Sequence, residues 1–243
     1  MRDIRIYVDQ PLAADTEATL PDAAAHHLLR VLRLTPGSII RIFNGTGNQF
    51  SAEIVEARGR QHCRVRLGPA EQPPVESKID VTLAQAIGKG DRMDWCIQKS
   101  TELGVTRIQP LSTERTEVRL SGQRLQRRLD HWQGVATAAA EQSGRLKVPM
   151  VDPPMALNAL APIDGLNIVL HPRGDLGPRD LAAPGTDRFM VIIGPEGGFS
   201  DGETATLTQL GCSLLSMGKR ILRTETAGPA ALAMLHSRFG DWT

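Results

Sequence analysis

The chain has little cysteine, and what it has is scattered. Cys63, Cys96 and Cys212 are isolated and odd in number, and no Cys-x-x-Cys pair occurs in the 243 residues. That argues against a disulfide frame or a cysteine zinc site and fits reduced thiols in a cytosol. His26 and His27 have no other His or Cys nearby in sequence, so packing or capping suits them better than metal ligation, and no metal is expected. No apolar run approaches the roughly 18 residues of a membrane span, and MRDIRIYVDQ lacks the apolar stretch of a secretion signal. The expectation is a soluble, cytoplasmic protein with no membrane partner. Net charge is also thin, at +1, so the chain is no generic polyanion binder. Internal repeats and low-complexity tracts are missing.

What the chain does contain is arginine, 23 of its 28 basic residues. The planar guanidinium fork suits phosphate, although a GC-rich genome gives the same bias without any function.

The first 70 or so residues read as a small β-rich domain. Ile4, Ile6 and Val8 alternate with Arg5 and Tyr7, as in a strand with one buried face. HHLLRVLRL reads as a short helix with Leu28, Val31 and Leu32 inward and Arg30 and Arg33 outward. Strands over 38–43 and 49–57 flank Asn44-Gly45-Thr46-Gly47-Asn48, a connection with hairpin chemistry. Cys63, Val65 and Leu67 alternate with Arg64 and Arg66 in a last strand. Closure into a barrel would stabilise so short a unit. Arg2, Arg5, Arg30 and Arg33 are a candidate phosphate patch or simply solvated surface. EQPPVESK, 71–78, marks a boundary near residue 75 and so predicts domains over 1–73 and 76–243.

Beyond that linker, strands and helices alternate to residue 238, the pattern of a mainly parallel α/β sheet covered on both faces. A strand over 79–87 leads through Gly88-Lys89-Gly90 to Asp91, an expected N-cap for a helix ending at Gly104. That helix places Met93, Cys96, Ile97, Ser100 and Leu103 on one face, with Lys99 and Glu102 near its edge as an ion pair. After a strand over 105–111, the stretch 112–128 sets Arg115, Arg119, Arg124, Arg127 and Arg128 against Glu114 and Glu117, a solvated face or an RNA-facing one. The next helix buries Leu125, Leu129, Trp132 and Ala136 and ends in AAEQSGR, where Glu141 and Arg145 form a candidate substrate rim. Asn167 to Leu170 is another buried strand, followed by His171-Pro172-Arg173-Gly174.

The stretch most suited to hold a small ligand is VIIGPEGGFSDGETATLTQLGCSLLSMGKRILRTETA, 191–227. A buried strand stops at Gly194, and Gly194, Gly197 and Gly198 with Pro195 permit a turn that brings backbone N–H groups close to a ligand. Ser200 and Glu203 form a capping box for a helix that Gly211 ends. A second strand, 212–217, breaks at Gly218 and leads through KRILRTET to a helix with Pro229 in its first turn. Both glycine loops fall at the carboxyl ends of strands, where open α/β sheets bind ligands. GPEGGFS lacks the Gly-Lys-Ser/Thr ending of a phosphate loop, places Glu196 in its middle, and is not G-x-G-x-x-G. Two ordinary strand-to-helix turns are the plain alternative.

GPEGGFSDGE followed by MGKRILRTETA resembles the carboxyl-terminal signature of the RsmE-type 16S rRNA (uracil-N3)-methyltransferases of the SPOUT superfamily. HHLLRVLRLTPG at 26–37, QKSTELGVTRIQPLSTER at 98–115 and AAEQSGRLKVP at 139–149 are similar to that family in the same order. The resemblance implies a PUA-like RNA-binding barrel over 1–73 and a SPOUT domain with a carboxyl-terminal trefoil knot over 76–243. It implies methylation of a uridine N3 in small-subunit ribosomal RNA, with S-adenosylmethionine as cofactor and a homodimer joined through the last helix.

The resemblance also places the cofactor against the backbone at Leu170, His171, Gly194, Pro195, Glu196, Gly197, Gly198, Leu215, Met217, Gly218, Ile221 and Leu222. The apolar members of the second loop suit an adenine pocket. Methyl transfer from a sulfonium is a direct displacement, and a cation beside the uracil imide helps its proton leave. Arg223 is the first choice for that cation, with Glu141 and Arg145 as weaker catalytic candidates, and an ordinary ion-pair network is the alternative for all three. Lys89 and Arg115 join the first four arginines as candidate RNA contacts. The rival class is a non-enzymatic RNA-binding or ribosome-assembly protein.

Overall fold

The computed structural model describes residues 4–59, 61–182 and 185–242, which form two compact units; the expectation for Arg2 lies outside the described residues. The first unit holds residues 1–76 together with 140–148. It begins with β1 (Arg5–Tyr7), β2 (Glu17–Thr19) and α1 (Asp22–His26), continues through a π-helical turn at His27–Val31, and ends with β3 (Ile39–Phe43), β4 (Gln49–Arg58) and β5 (His62–Glu71). The sheet order is β1-β3-β4-β5-β2. The β1-β3 pair is parallel and the others are antiparallel.

Alternation explains why this sheet rolls around a single core. Ile6, Ile42, Ile54 and Val65 come from successive sheet neighbours and meet in one buried cluster with Leu28 and Phe50. Each such side chain contributes about 1.5–3 kcal/mol on burial. The helix segment departs from expectation: Val31 is 59% and Leu32 37% exposed. The π-helical turn abandons the 3.6-residue spacing on which their inward placement rested. Leu28 is buried as expected, Leu29 and Leu34 pack against the core in place of the other two, and Arg33 leaves the turn at φ +57°.

Residues 140–148 complete this unit. Ala140 and Leu146 pack with Phe43, and Tyr7 and Val148 border them. Glu141 accepts a hydrogen bond from the Tyr7 backbone N–H at 2.9 Å.

The second unit is a seven-stranded sheet. Its elements are β6 (Asp80–Ala86), α2 (Arg92–Glu102), β7 (Arg107–Ser112), α3 (Gly122–Ser143), β8 (Met150–Val151), β9 (Met155–Ala156), β10 (Leu166–Leu170), β11 (Arg188–Ile193), α4 (Asp201–Gln209), β12 (Ser213–Leu215) and α5 (Thr224–Phe239). The last turn of α3 is the start of the 140–148 segment. Strand order is β12-β10-β11-β6-β7-β8, with β9 also on β7, and every pairing is parallel. The inner strands β6 and β11 are buried along almost their whole length, as a parallel sheet covered on both faces requires.

Three details differ from the reading of the residues. Asp91 stands at the N-cap of α2 but its side chain makes no capping hydrogen bond. Thr101 is buried on that helix where Leu103 was expected, because Leu103 has already become the C-cap. Pro229 lies inside α5, five residues past its first residue Thr224, because the helix starts earlier than the proline suggested. The Lys99–Glu102 ion pair is present at 2.8 Å.

Candidate functional site

Parallel pairing fixes where the site lies. Strands β12, β10 and β11 are neighbours running the same way, so the segments after them, 216–222, 171–174 and 194–199, emerge at one rim. They wall a cavity of about 610 Å³, and a recess of about 70 Å³ adjoins it. The main cavity is lined by Leu170, His171, Gly194, Pro195, Glu196, Gly197 and Gly198 from two of these segments, and by Ile221, Leu222 and Arg223 from the third. Leu215, Met217 and Gly218 line the recess, sharing Leu170, His171, Ile221 and Leu222 with the main cavity. All twelve residues expected at a cofactor thus line the cavity or its adjoining recess, and Arg223 lines the cavity.

The first glycine loop is tightly pinned. Gly198 donates to the Pro195 carbonyl at 2.9 Å and sits at φ +69°, where a side chain is strained. Arg115 donates to the carbonyls of Gly197 at 2.8 Å and Phe199 at 3.3 Å. Ser200 and Glu203 form the reciprocal capping box of α4, and the second Glu203 oxygen accepts from Glu114 N–H at 2.8 Å. Glu196 accepts from Lys89 N–H at 3.1 Å and is paired with Arg92. Burial alone would push the Glu196 carboxyl up, but its own N–H, the Lys89 N–H and Arg92 outweigh this and hold it below the ordinary carboxylate range.

The segments after β10 and β12 are interlocked. His171 N–H donates to the Leu215 carbonyl at 2.9 Å, and Ser216 N–H donates to Leu176 at 2.8 Å. Gly174 is required here, because a Cβ would lie 2.7 Å from the Leu215 carbonyl carbon.

The other expected site residues are placed differently. Glu141 and Arg145 belong to the first unit and do not line the cavity. Arg145 is 5% exposed and donates to Glu76 through Nη2 at 2.8 Å and Nε at 3.2 Å. Burial pushes the Glu141 carboxyl up against the smaller opposing effects of Tyr7 N–H, His27 and Arg5. Arg5 is no open phosphate contact: its guanidinium donates to Gln49 and to the Arg145 carbonyl at 2.9 Å and lies over the Phe43 ring. Arg30 and Arg33 are exposed. Lys89 pairs with Glu117 at 2.6 Å. Arg115, expected toward RNA, is held by loop carbonyls at the cavity wall.

Arg92, Phe199 and Thr224 line the cavity without having been singled out. Arg92 meets Glu196 across 104 positions of sequence, which leaves no local signal. Among the described residues no group of three His, Cys, Asp or Glu side chains could hold a metal ion, and no helix is long and apolar enough to cross a membrane. The site therefore offers backbone donors, apolar walls and arginines, which suit alignment of a bound nucleoside-like molecule and stabilisation of developing negative charge.

Two family models match the chain: an RNA methyltransferase domain over 75–236 and an RNA methyltransferase PUA domain over 20–68. A ribosomal RNA small subunit methyltransferase E from Buchnera aphidicola (subspecies Acyrthosiphon pisum) is 31% identical, over 98% of this chain and 94% of that protein. A crystal structure of a ribosomal RNA small subunit methyltransferase E from Neisseria gonorrhoeae, bound to S-adenosylmethionine, is similar at TM-score 0.92 and 34% identity, covering 100% of both chains. A Legionella pneumophila protein described as a methyltransferase, in complex with bound S-adenosylmethionine, is similar at TM-score 0.94 and 36% identity, covering 99% of this chain and 100% of that one.

Proposed function

Because the chain belongs to the RNA methyltransferase family of the ribosomal RNA small subunit methyltransferases E, we propose that it transfers a methyl group from S-adenosylmethionine to uridine N3 in small-subunit ribosomal RNA. The observation that carries this reading is the cavity and adjoining recess walled by the two glycine loops, with Arg223 among the lining residues. A protein that only bound RNA would have no need of such a pocket, which weighs against the non-enzymatic alternative.

In this reading the second loop and its recess take adenine, and the first loop takes the rest of the nucleoside. Bound S-adenosylmethionine would supply an electrophilic methyl group for the uracil nitrogen, whose N3 proton would pass to solvent while the carbon–sulfur bonding electrons stay on sulfur. Arg223 stabilises the imide anion. Its guanidinium has no hydrogen-bond or ion-pair partner among the described residues, and it stands at the N-cap of α5. The first unit supplies phosphate contacts, with Arg30 and Arg33 as its exposed candidates.

Three further features belong to the same reading. The carboxyl-terminal segment is threaded as a knot, a reading supported by the pairing of Leu176 with Leu215 at the end of β12 and by the packing of α5 on β11 and β6. The protein is a homodimer joined through α5, and it works in the cytoplasm.

Mass spectrometry of nucleosides from small-subunit RNA incubated with the protein and methyl-labelled cofactor tests the central claim. Label in 3-methyluridine supports it. Label at another position would move the target, and no label would return the protein to the binding class.

A further inference from the structure

A directional chain of buried hydrogen bonds ties the first glycine loop to the start of α5, two residues past the second loop. Gln85, at the cavity end of β6, is 1% exposed. Its Nε2 donates to the Ala86 carbonyl at 3.1 Å and to Thr224 Oγ1 at 2.9 Å, and its Oε1 accepts from Cys96 Sγ at 3.4 Å. The Thr224 hydroxyl then donates to the Gly194 carbonyl at 2.6 Å.

The polarity of this chain is set at its origin. Burial pushes the Cys96 thiol up to about 12, so it stays protonated and acts as a donor. That orients the Gln85 amide with Nε2 toward Thr224. Both amide hydrogens are used, and the one hydroxyl hydrogen goes to Gly194.

The two ends matter for position. Gly194 is the first residue of the first glycine loop, and Thr224 is the first residue of α5, directly after Arg223. Gly228 brings α5 down onto the same amide, since a Cβ there would lie 3.3 Å from Gln85 Oε1. The small void beside Gln85, Cys96 and Thr224 has no room for a water, so a lost hydroxyl is not replaced from that side.

We propose that Gln85 and Thr224 are positioning residues that hold the two glycine loops at the separation S-adenosylmethionine requires, so that the cofactor enters a preformed pocket. The inference rests on the cofactor reading above. A preorganised pocket spends no binding energy on ordering loops, so loss of the link should appear in cofactor affinity and not only in stability.

Calorimetric titration of the full-length protein with S-adenosylmethionine, at a temperature where circular dichroism shows every variant folded, decides it. Thr224→Val keeps shape and removes the hydroxyl, and it should raise Kd at least tenfold. Thr224→Ser keeps the hydroxyl and should stay within threefold of the parent. Gln85→Leu should follow Thr224→Val. A lowered melting temperature with Kd within threefold for Thr224→Val would make the link merely structural and overturn the proposal. If Thr224→Val does not fold, Thr224→Ala is read by the same criterion. A parent protein that does not bind the cofactor would instead sink the functional reading, so the two failures are separable.

Discussion

Arg115 donates to the carbonyl oxygen of Gly197 at 2.8 Å, so an arginine expected toward RNA is a brace for the first glycine loop. Arg115→Ala should raise the Kd for S-adenosylmethionine about three- to tenfold, or about 0.7–1.4 kcal/mol. The salt dependence of RNA binding should barely change, whereas loss of a phosphate contact lowers the slope of log K against log salt by about one. The latter result with unchanged cofactor affinity would return Arg115 to the RNA surface.

Gly198 and Gly194 sit in the same loop for different reasons. A Cβ on Gly198 would meet nothing within 4 Å, so its requirement is the backbone at φ +69°. A Cβ on Gly194 would lie 3.2 Å from the Phe199 ring. Gly198→Val should therefore leave the fold intact and weaken cofactor binding through about 1–2 kcal/mol or more of loop strain. Gly194→Ala should lower the melting temperature as well. Thermal scans with and without cofactor separate the two, and identical behaviour would contradict this division.

For Arg223→Ala the expectation is a methyl-transfer rate lowered about one and a half to three decades, or roughly 2–4 kcal/mol of transition-state stabilisation. Cofactor affinity should change far less. Arg223→Lys keeps the charge and loses the fork, and should fall between. Single-turnover rates at saturating RNA and cofactor check this; a rate within about threefold of the parent for the alanine variant would remove Arg223 from the chemistry.

The first glycine loop and the helix after it were largely legible, because capping and turn chemistry are local. Ser200, Glu203 and Gly211 bound α4 as their types demand. Glu141 and Arg145 were misleading for the opposite reason. Two polar groups at a helix end look like a rim, but their partners Tyr7 and Glu76 lie 134 and 69 positions away. The three-residue β2 and the two-residue β8 and β9 are too short for any period to register. Val31 and Leu32 show the limit of helical spacing when the turn is not α-helical.

Glu76 should make the first unit acid-sensitive. Burial raises its carboxyl, but Arg145 and the N–H groups of Leu146 and Lys147 more than offset this and hold it below the ordinary range. A depressed folded-state value means that the stabilisation is full above the unfolded carboxylate range and is lost as pH falls through the lower folded value. Glu76→Gln removes the charge at every pH and takes from buried Arg145 the carboxylate that it meets at 2.8 Å, at a cost of about 1.5–3 kcal/mol. Urea unfolding followed by a probe in the first unit should show this loss at neutral pH and a flatter acid profile for the variant. Equal stability of the two proteins at pH 7 would count against it.

The first unit is discontinuous, closed by residues 140–148 after the chain has left at residue 76. During synthesis roughly 72 further residues, on the order of ten seconds at ordinary elongation rates, pass before Leu146 and Arg145 arrive. Until then the pocket around Phe43 and the Glu76 carboxylate stand open. The main core from Ile6 to Leu67 is complete without that segment, but a nascent fragment released before residue 148 would present an uncovered Phe43 to chaperones and proteases.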